Sequence, residues 1–585
     1  MKITGTLDIE CADWDRFAVA ATYQPTQGGA GYGDTTIHRS IAELVDFLLR
    51  RSGSTWWAHC GGNFDFLAIA EEMRLRQIPC SVDLAGSKVS RLVGGGIVLR
   101  DSWPLVPLAL PVAAKLAGEV ADDLGLPCRC GHACGGYCSI RANDDRARVS
   151  DHCASDARVL YRVLRAIEEI GESMGLTMRG TLGGTAWATA KAAIGLPDAD
   201  MSPGQWRRIR ESYFGGRVTI IRPRAIGPGS HWDISSAYPA ALARTALPIG
   251  DCAGYADRDA RLCLRNERPG IYSCTITVPD CMLPPLPVRL GARVLYPTGV
   301  LRGTWTLPEI NEAIERGAVV SDVRWCMVWE GAEILFDDLI RDWFARRRKA
   351  GKASALGQWI RLLGNTLTGK FAEGPNKKAA KMFPAKIRYC EGKRPCSKRA
   401  CVGACGAMEQ LDMWGQVWGV PFFRPATSGH VHWASYLTSA TRSQWLVGAE
   451  SQGWDLVYGD TDSIWTTSRT GPRPQGAALG AWELKHAWSD WECVAPRAYR
   501  FSDEHGRQVK TSGMTITDDD WTAGGAVNDR GVLSFTDAAK LSKGLFQRKH
   551  QRWTLPDTGR STGMYGDRLL DADERVTLPV RYGQA

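Results

Sequence analysis

Residues 457–463 read VYGDTDS and set Asp460 and Asp462 one residue apart. Carboxylate oxygens are hard ligands, and a pair at this spacing suits Mg2+ or Mn2+. Taken alone, a solvated acidic turn explains the pair better than a metal site does. The metal-binding DxD of a nucleotide-sugar glycosyltransferase is a further account. A third acid narrows the choice. In DISSAYPAAL, residues 233–242, Asp233 closes a strand, and Ser236, Tyr238 and Pro239 open a helix. Helix capping alone accounts for an aspartate there. A strand-end aspartate beside a two-carboxylate turn also completes a two-metal site, which activates a 3′-hydroxyl with one ion and neutralises a triphosphate with the other. D-x-x-S-x-Y-P followed by a distant Y-G-D-T-D-S is a specific pairing.

Other side chains fit the same chemistry. In RLLGNTLTGKF, helical spacing places Arg361, Asn365 and Thr368 on one face at i, i+4 and i+7. Just upstream, FARRRKAGK packs five cations, Arg347 among them, into nine residues. Such a run is usually a solvated helix face; beside an asparagine-bearing helix it reads as a clamp on phosphates. The N-terminal part repeats the acidic theme. LDIE puts Asp8 and Glu10 on one face of a strand, AHCGGNFDFLAI brings Asp65, and HCASDARVL brings Asp156 with His152 one helical turn before it. Singly, each is more often a cap or a surface charge. Together, four carboxylates from three segments can hold two Mg2+ ions for phosphodiester hydrolysis.

The elements that must carry these residues are legible in outline. KITGTLDIE reads as a strand, SIAELVDFLLRR as a helix behind a serine cap, and VLYRVLRAIEEIGESMG as a longer helix ending at glycine. These make an α/β domain to about residue 190, and LPDADMSPG (196–204) reads as a linker. YFGGRVTII and HWDISSAYPAALA are strand-like runs leading into a helix, followed by a Pro- and Gly-rich β-like stretch, a basic helical segment, and a helix in WASYLTSATRSQWLVGAESQG. In DLVYGDTDSIW the apolar flanks suit two buried strands, with GDTD as the tight turn between them.

At 585 residues with 44% hydrophobic content the chain can build several cores, and Lys plus Arg exceeds Asp plus Glu by 72 − 63 = 9. That excess suits a polyanionic partner. The N-terminus turns acidic at once, with no apolar run of signal-peptide type, and no stretch is long and uncharged enough to span a bilayer. A cytoplasmic protein without a membrane partner is expected, so the 18 cysteines do not read as a disulfide framework. Eight of them cluster: Cys128, Cys130, Cys134 and Cys138 with His132, and Cys390, Cys396, Cys401 and Cys405. Their spacing is close to that of structural Zn2+ sites, against unligated loop thiols as the alternative.

These residues resemble the family B DNA polymerases over nearly the whole chain. DISSAYP resembles the family's first palm motif, RLLGNTLTGKF its fingers motif (usually K-x-x-x-N-S-x-Y-G), and YGDTDS its second palm motif. The resemblance implies Asp233 and Asp462 as principal metal ligands with Asp460 beside them, and Tyr238 as the steric gate against a 2′-hydroxyl. It implies Arg361 and Asn365 at the incoming nucleotide, where Arg347 of the basic run is expected too. PRAY (496–499) resembles the K-x-Y that grips the primer, through Arg497 and Tyr499. YFGGR resembles a Y-x-G-G motif, and implies that Tyr213, Gly215, Gly216 and Arg217 touch template phosphates. Departures fall at Arg361, Thr366 and Thr368 in the fingers motif, and at Arg497.

The N-terminal carboxylates resemble the same family's 3′–5′ exonuclease, with Cys60 where Asn is usual and His152 where Tyr orients the attacking water. Phe64 and Ser102 would then touch the single-stranded 3′ end. Two inserts resemble those of the protein-primed branch found in phages and linear plasmids, where they bind a terminal protein and encircle DNA, giving processivity and strand displacement. The expected order is an RNase H-like exonuclease domain (1–190), palm (191–245), first insertion (246–335), fingers (336–375), Cys-rich second insertion (376–415), palm (416–524) and thumb (525–585), together an α/β and α+β multidomain right hand. Expected partners are a DNA template-primer, deoxynucleoside triphosphates and a terminal protein, acting on a monomer in the host cytoplasm or nucleoid. Two alternatives stay open: a family B polymerase that extends nucleic-acid primers or starts without one, and a DNA-binding replication factor with an inactive polymerase site.

Overall fold

The computed structural model describes residues 2–585 except 14–15, 27–32, 64, 86–87, 119–145, 200, 292, 374–380, 385–407, 414–415, 422–427, 513–515, 529–550, 555–563, 566–567, 571–576 and 582–585. Both cysteine clusters and Phe64 lie outside the described residues.

In the N-terminal domain, strand Gly5–Asp13 pairs antiparallel with Arg16–Pro25 and parallel with Thr55–Ala58, which runs parallel with Ile97–Asp101. Alternation along the first strand buries Leu7 and Ile9 and sends Asp8 and Glu10 to the opposite face. Helix Arg146–Ser173 covers that face. Val149, Cys153 and Ala157, at four-residue spacing, pack on Val19, Ala21 and Tyr23, which carries His152 and Asp156 to the two strand carboxylates. Ser40 caps helix Ile41–Leu49, its hydroxyl accepting the Glu43 N–H at 3.1 Å, as the serine signal implied.

The palm is a seven-stranded antiparallel sheet in the order Gly506–Thr511, Ala498–Asp503, Trp482–Ala495, Arg224–Ile234, Ser463–Thr466, Leu456–Asp460, Val218–Ile220. Its central strand places Asp233 opposite Ser463 on one side and Glu483 on the other. Helix Val431–Glu450 lies beneath the hairpin. The Trp445 indole donates to Ser463 O at 2.9 Å, and a side chain at Gly459 would collide with that ring. The glycine of YGDTDS is thus required by the tryptophan packed under it.

Residues 247–333 form a separate four-stranded antiparallel sheet, Leu247–Ala256, Val319–Glu333, Gly270–Val278 and Gly299–Thr306 in that order, carrying helices Asp257–Arg265 and Leu307–Glu315. The basic segment folds as two helices, Asp337–Ala350 and Ala355–Phe371, separated at Gly351, whose φ of 88° suits glycine. One apolar core runs from the N-terminal domain through the fingers to the palm helix. Trp359 Nε1 donates to Leu105 O at 3.0 Å and Trp433 Nε1 donates to Pro248 O at 2.7 Å.

The second insert departs from its expected extent. Strand Gln416–Pro421 pairs with Met408–Met413 and not with the palm, so the hairpin runs past 415 and the palm resumes at helix Val431–Glu450. Strand Lys381–Pro384 joins this hairpin to strand Cys80–Ala85 of the N-terminal domain, extending that sheet to ten strands.

Candidate active site

Asp460 ends one hairpin strand, Thr461 and Asp462 make the turn, and Ser463 begins the return. Thr461 takes a φ of 57°, stabilised by its N–H donating to Arg217 O at 2.6 Å, while Ile234 N–H donates to Asp462 O at 2.7 Å. These bonds fix the turn against both YFGGR and the Asp233 strand. Burial, then the neighbouring Asp233 and Asp460 charges, pushes Asp462 up to about 7. Burial also raises Asp233, against the pull of Lys485, whose Nζ lies 3.6 Å from Asp233 Oδ1. Asp460 is turned elsewhere: Arg497 donates to it through Nε at 2.9 Å and through a terminal nitrogen at 3.0 Å. Asp233 and Asp462, desolvated and mutually repelling, fit a divalent cation, which would relieve both costs. Asp460 serves the turn and Arg497.

Lys485 and Glu483 have no signal in the motifs. They follow from register, since both alternate residues of strand Trp482–Ala495 face the Asp233 end. Glu483 accepts from Lys485 at 3.0 Å and from Lys352 of the fingers, an ion-paired link between fingers and palm.

Above the palm, Ser236 enters helix Ala237–Arg244 with a φ of 54°, and Arg347 donates to its hydroxyl at 2.7 Å. Arg347 and Arg361 line a cleft with Ser236, Pro239 and Gly364. Burial, then the neighbouring Arg361 charge, pulls the Arg347 pKa down. That electrostatic cost favours an anion between the two guanidiniums. Arg361 and Asn365 are exposed on the outer helix face, with Thr368 half-buried beside them. Burial, then the neighbouring Tyr213 and Asp462 groups, pushes the Tyr238 phenol up to about 12.

Two of the residues expected on DNA are interior. Arg217 is 1% exposed; it donates to Pro284 O at 2.9 Å and lies 4.2 Å over the Tyr296 ring, so its guanidinium is structural. Ser102 is fully buried beside the half-buried His59, Oγ to Nδ1 2.8 Å. Tyr213 is half-buried under Arg210, and Gly215 is exposed, with Gly216 packed on the Thr461 side chain. Tyr499 is half-buried in an aromatic layer with Trp491 and Tyr458, its ring 4.6 Å and 5.3 Å from theirs.

In the N-terminal domain Asp8, Glu10, Asp65 and Asp156 converge with His152. The His152 Nε2 lies 3.8 Å from Glu10 and 3.5 Å from Asp156. Burial raises Asp8 to about 6; burial, then neighbouring acids, raises Glu10 and Asp65 well above the usual carboxylate range. Asp8 Oδ2 and Asp65 Oδ1 are buried without a hydrogen-bond donor. Orphaned, desolvated carboxylate oxygens of this kind fit a cation. Asp101, overlooked beside Ser102, adds its charge to Asp65 and accepts the Gly62 and Trp103 N–H groups at 3.2 and 2.9 Å. Cys60 adopts a φ of 59° in the loop before Asp65.

Fold and site together give a right-hand palm and fingers joined to an α/β N-terminal domain, each with its own carboxylate cluster. Residues 143–396 match the family described as DNA polymerase type B, organellar and viral. The matched segment runs from the long N-terminal helix through the first palm strand and the fingers helices, and over that length the chain is similar to this family. Its fold is similar to phi29 DNA polymerase complexed with primer-template DNA and incoming nucleotides, with TM-score 0.67 and 14% identity over 90% of this chain and 96% of that one. It is similar at TM-score 0.65, with the same identity and coverage, to phi29 DNA polymerase complexed with single-stranded DNA. No curated protein matches the sequence. Among the described residues no helix is long and apolar enough to cross a membrane.

Proposed function

We propose that the protein is a type B DNA polymerase that replicates a phage or linear-plasmid genome from a protein primer, with 3′–5′ proofreading and strand displacement. The observation that carries the polymerase chemistry is the meeting of Asp233, on its strand, with Asp462 at the half-buried hairpin end, beside Tyr238 and the Arg347–Arg361 cleft. Asp233 and Asp462 would hold the divalent ions, which would supply activation of the attacking hydroxyl and neutralisation of the triphosphate. The chain's own residues do the rest. Arg347, Arg361 and Asn365 orient the triphosphate, and the Tyr238 ring closes the space a 2′-hydroxyl would need. Arg497 holds Asp460 and, on its exposed side, meets the primer strand.

In the N-terminal domain Asp8, Glu10, Asp65 and Asp156 hold the cations for phosphodiester hydrolysis. His152, within reach of Glu10 and Asp156, orients the attacking water in place of a tyrosine. The separate unit at 247–333 and the hairpin of the second insert support protein priming, since both exceed what the palm and fingers need. The cysteine clusters supply candidate structural zinc sites, tested by metal analysis of the purified protein.

The deciding assay offers the enzyme a labelled deoxynucleotide and a candidate terminal protein encoded beside it. Covalent labelling of that protein is expected. Normal primer extension with no labelling would favour an enzyme that extends nucleic-acid primers; loss of both would favour an inactive replication factor. Proofreading is checked separately, by degradation of a 3′ end in Mg2+ without nucleotides.

A further inference from the structure

Helix Val431–Glu450 carries a buried guanidinium that neither carboxylate set uses. Arg442 is 4% exposed and pairs with Glu309, 5% exposed, from helix Leu307–Glu315 of the inserted unit. One terminal nitrogen of Arg442 meets Glu309, and the other donates to Phe214 O at 2.8 Å and Gly215 O at 2.9 Å. Glu309 is fixed in turn by Thr306, whose N–H and hydroxyl donate to its second oxygen at 3.3 and 3.1 Å. A buried ion pair of this kind contributes little net stability compared with well-packed apolar side chains, so its geometry calls for another account.

Peptide planarity supplies one. In a trans amide the N–H points opposite to the C=O. Drawing the Phe214 and Gly215 carbonyls onto one inward guanidinium therefore turns the Gly215 and Gly216 N–H groups to the other side. That side is open at Gly215, which is exposed and where a Cβ would meet nothing within 4 Å. Two successive amides aimed outward offer uncharged donors to an anion. Gly216 meanwhile rests on Thr461, and Arg217 O accepts the Thr461 N–H, so these amides stand in fixed register with the Asp460–Asp462 turn.

We propose that Arg442, oriented by Glu309, is a positioning residue that turns the Gly215 and Gly216 amides outward as a seat for a template-strand phosphate beside the Asp460–Asp462 turn. This rests on the reading of YFGGR as a strand-binding segment. The amides are uncharged donors. Loosening them weakens DNA binding without changing how many counterions binding releases, so log Kd plotted against log salt shifts while its slope stays. A cation in direct contact with a phosphate would instead lower the slope by about 1 when removed.

The test measures primer-template binding over a range of salt for Arg442→Lys, Glu309→Gln and Gly215→Ala, with a cooperative thermal melt to show that each is folded. Arg442→Lys keeps the charge but cannot span Glu309 and two carbonyls. It is expected to weaken binding roughly tenfold at every salt, the worth of one charge-assisted hydrogen bond. Glu309→Gln is expected to lose less, again with an unchanged slope, and decides alone if Arg442→Lys does not fold. Gly215→Ala, at a φ outside the left-handed region, places a methyl on the outer face and tests the underlying reading. If it binds as wild type, YFGGR is not a strand seat. If it weakens binding while both other variants bind normally, the seat survives and the role of Arg442 is overturned. A fall in slope for Arg442→Lys also overturns it.

Discussion

The two acidic centres of this chain are built from the same side chain and compensated in opposite ways. In the palm each of two aspartates has a cation at hand: Lys485 stands 3.6 Å from Asp233, and Arg497 grips Asp460 with two bonds. In the N-terminal domain Asp8 and Asp65 each carry a buried oxygen with no donor, and His152 lies 3.8 Å from Glu10 and 3.5 Å from Asp156. The palm aspartates are thus each offset by a side-chain cation, whereas the N-terminal acids raise one another's pKa.

The largest tests separate the centres outright. Asp462→Ala should reduce primer extension by ~10⁴-fold, the scale on which losing one member of a catalytic constellation is felt, with 3′-end degradation unchanged. Asp65→Ala should do the reverse. If either variant damages both activities equally, the centres are not independent.

Next in size, Arg497→Lys keeps the charge but loses the fork on Asp460. Extension should slow roughly tenfold, with degradation untouched, as one charge-assisted bond is lost. A rate equal to wild type would mean that Asp460 needs no clamp. Lys485→Met removes the internal competitor at Asp233, so the Mg2+ concentration that half-saturates extension should fall by a factor of roughly three to ten, while that for degradation stays. A rise would show that Lys485 assists the metal.

The smallest effect concerns acid stability. His231 stacks on Trp465 at 4.1 Å, and burial pulls its pKa down to about 3. The folded palm keeps it neutral while the unfolded chain protonates it below about 6.5, so this contribution to stability is lost as pH falls from about 6.5 toward 3. His231→Phe should flatten that part of the melting-temperature profile. His59, held down to about 4 by burial, should leave the N-terminal domain's own acid sensitivity in place. An unchanged profile in His231→Phe would assign the sensitivity elsewhere.

The catalytic turn was legible because every contribution to it is local. Apolar alternation, two acids and a tight turn lie within ten residues, and the hairpin forms as those signals imply. The fingers face was legible for the same reason, through helical spacing. The burial of Arg217 was not legible because a motif records residue type and not burial: it sits beside residues at the site while its own side chain packs against Tyr296 in the interior. Lys485, Arg442 and Glu309 were invisible because their partners come from other elements, and only strand register or helix docking brings them together. The end of the second insert was misread because its last strand looks like any palm strand until its pairing is known.

The strand Lys381–Pro384 has a mechanical consequence. It links the insert's hairpin to strand Cys80–Ala85 through the pairs Lys381–Asp83 and Met382–Val82. Because the strands run side by side, a force along them loads these hydrogen bonds in shear, while a force across the sheet peels them one at a time. A duplex pressed against the hairpin along the strand direction would thus push on the whole N-terminal sheet as one plate. The same push delivered sideways would meet only this short seam, which makes it the fuse of the assembly.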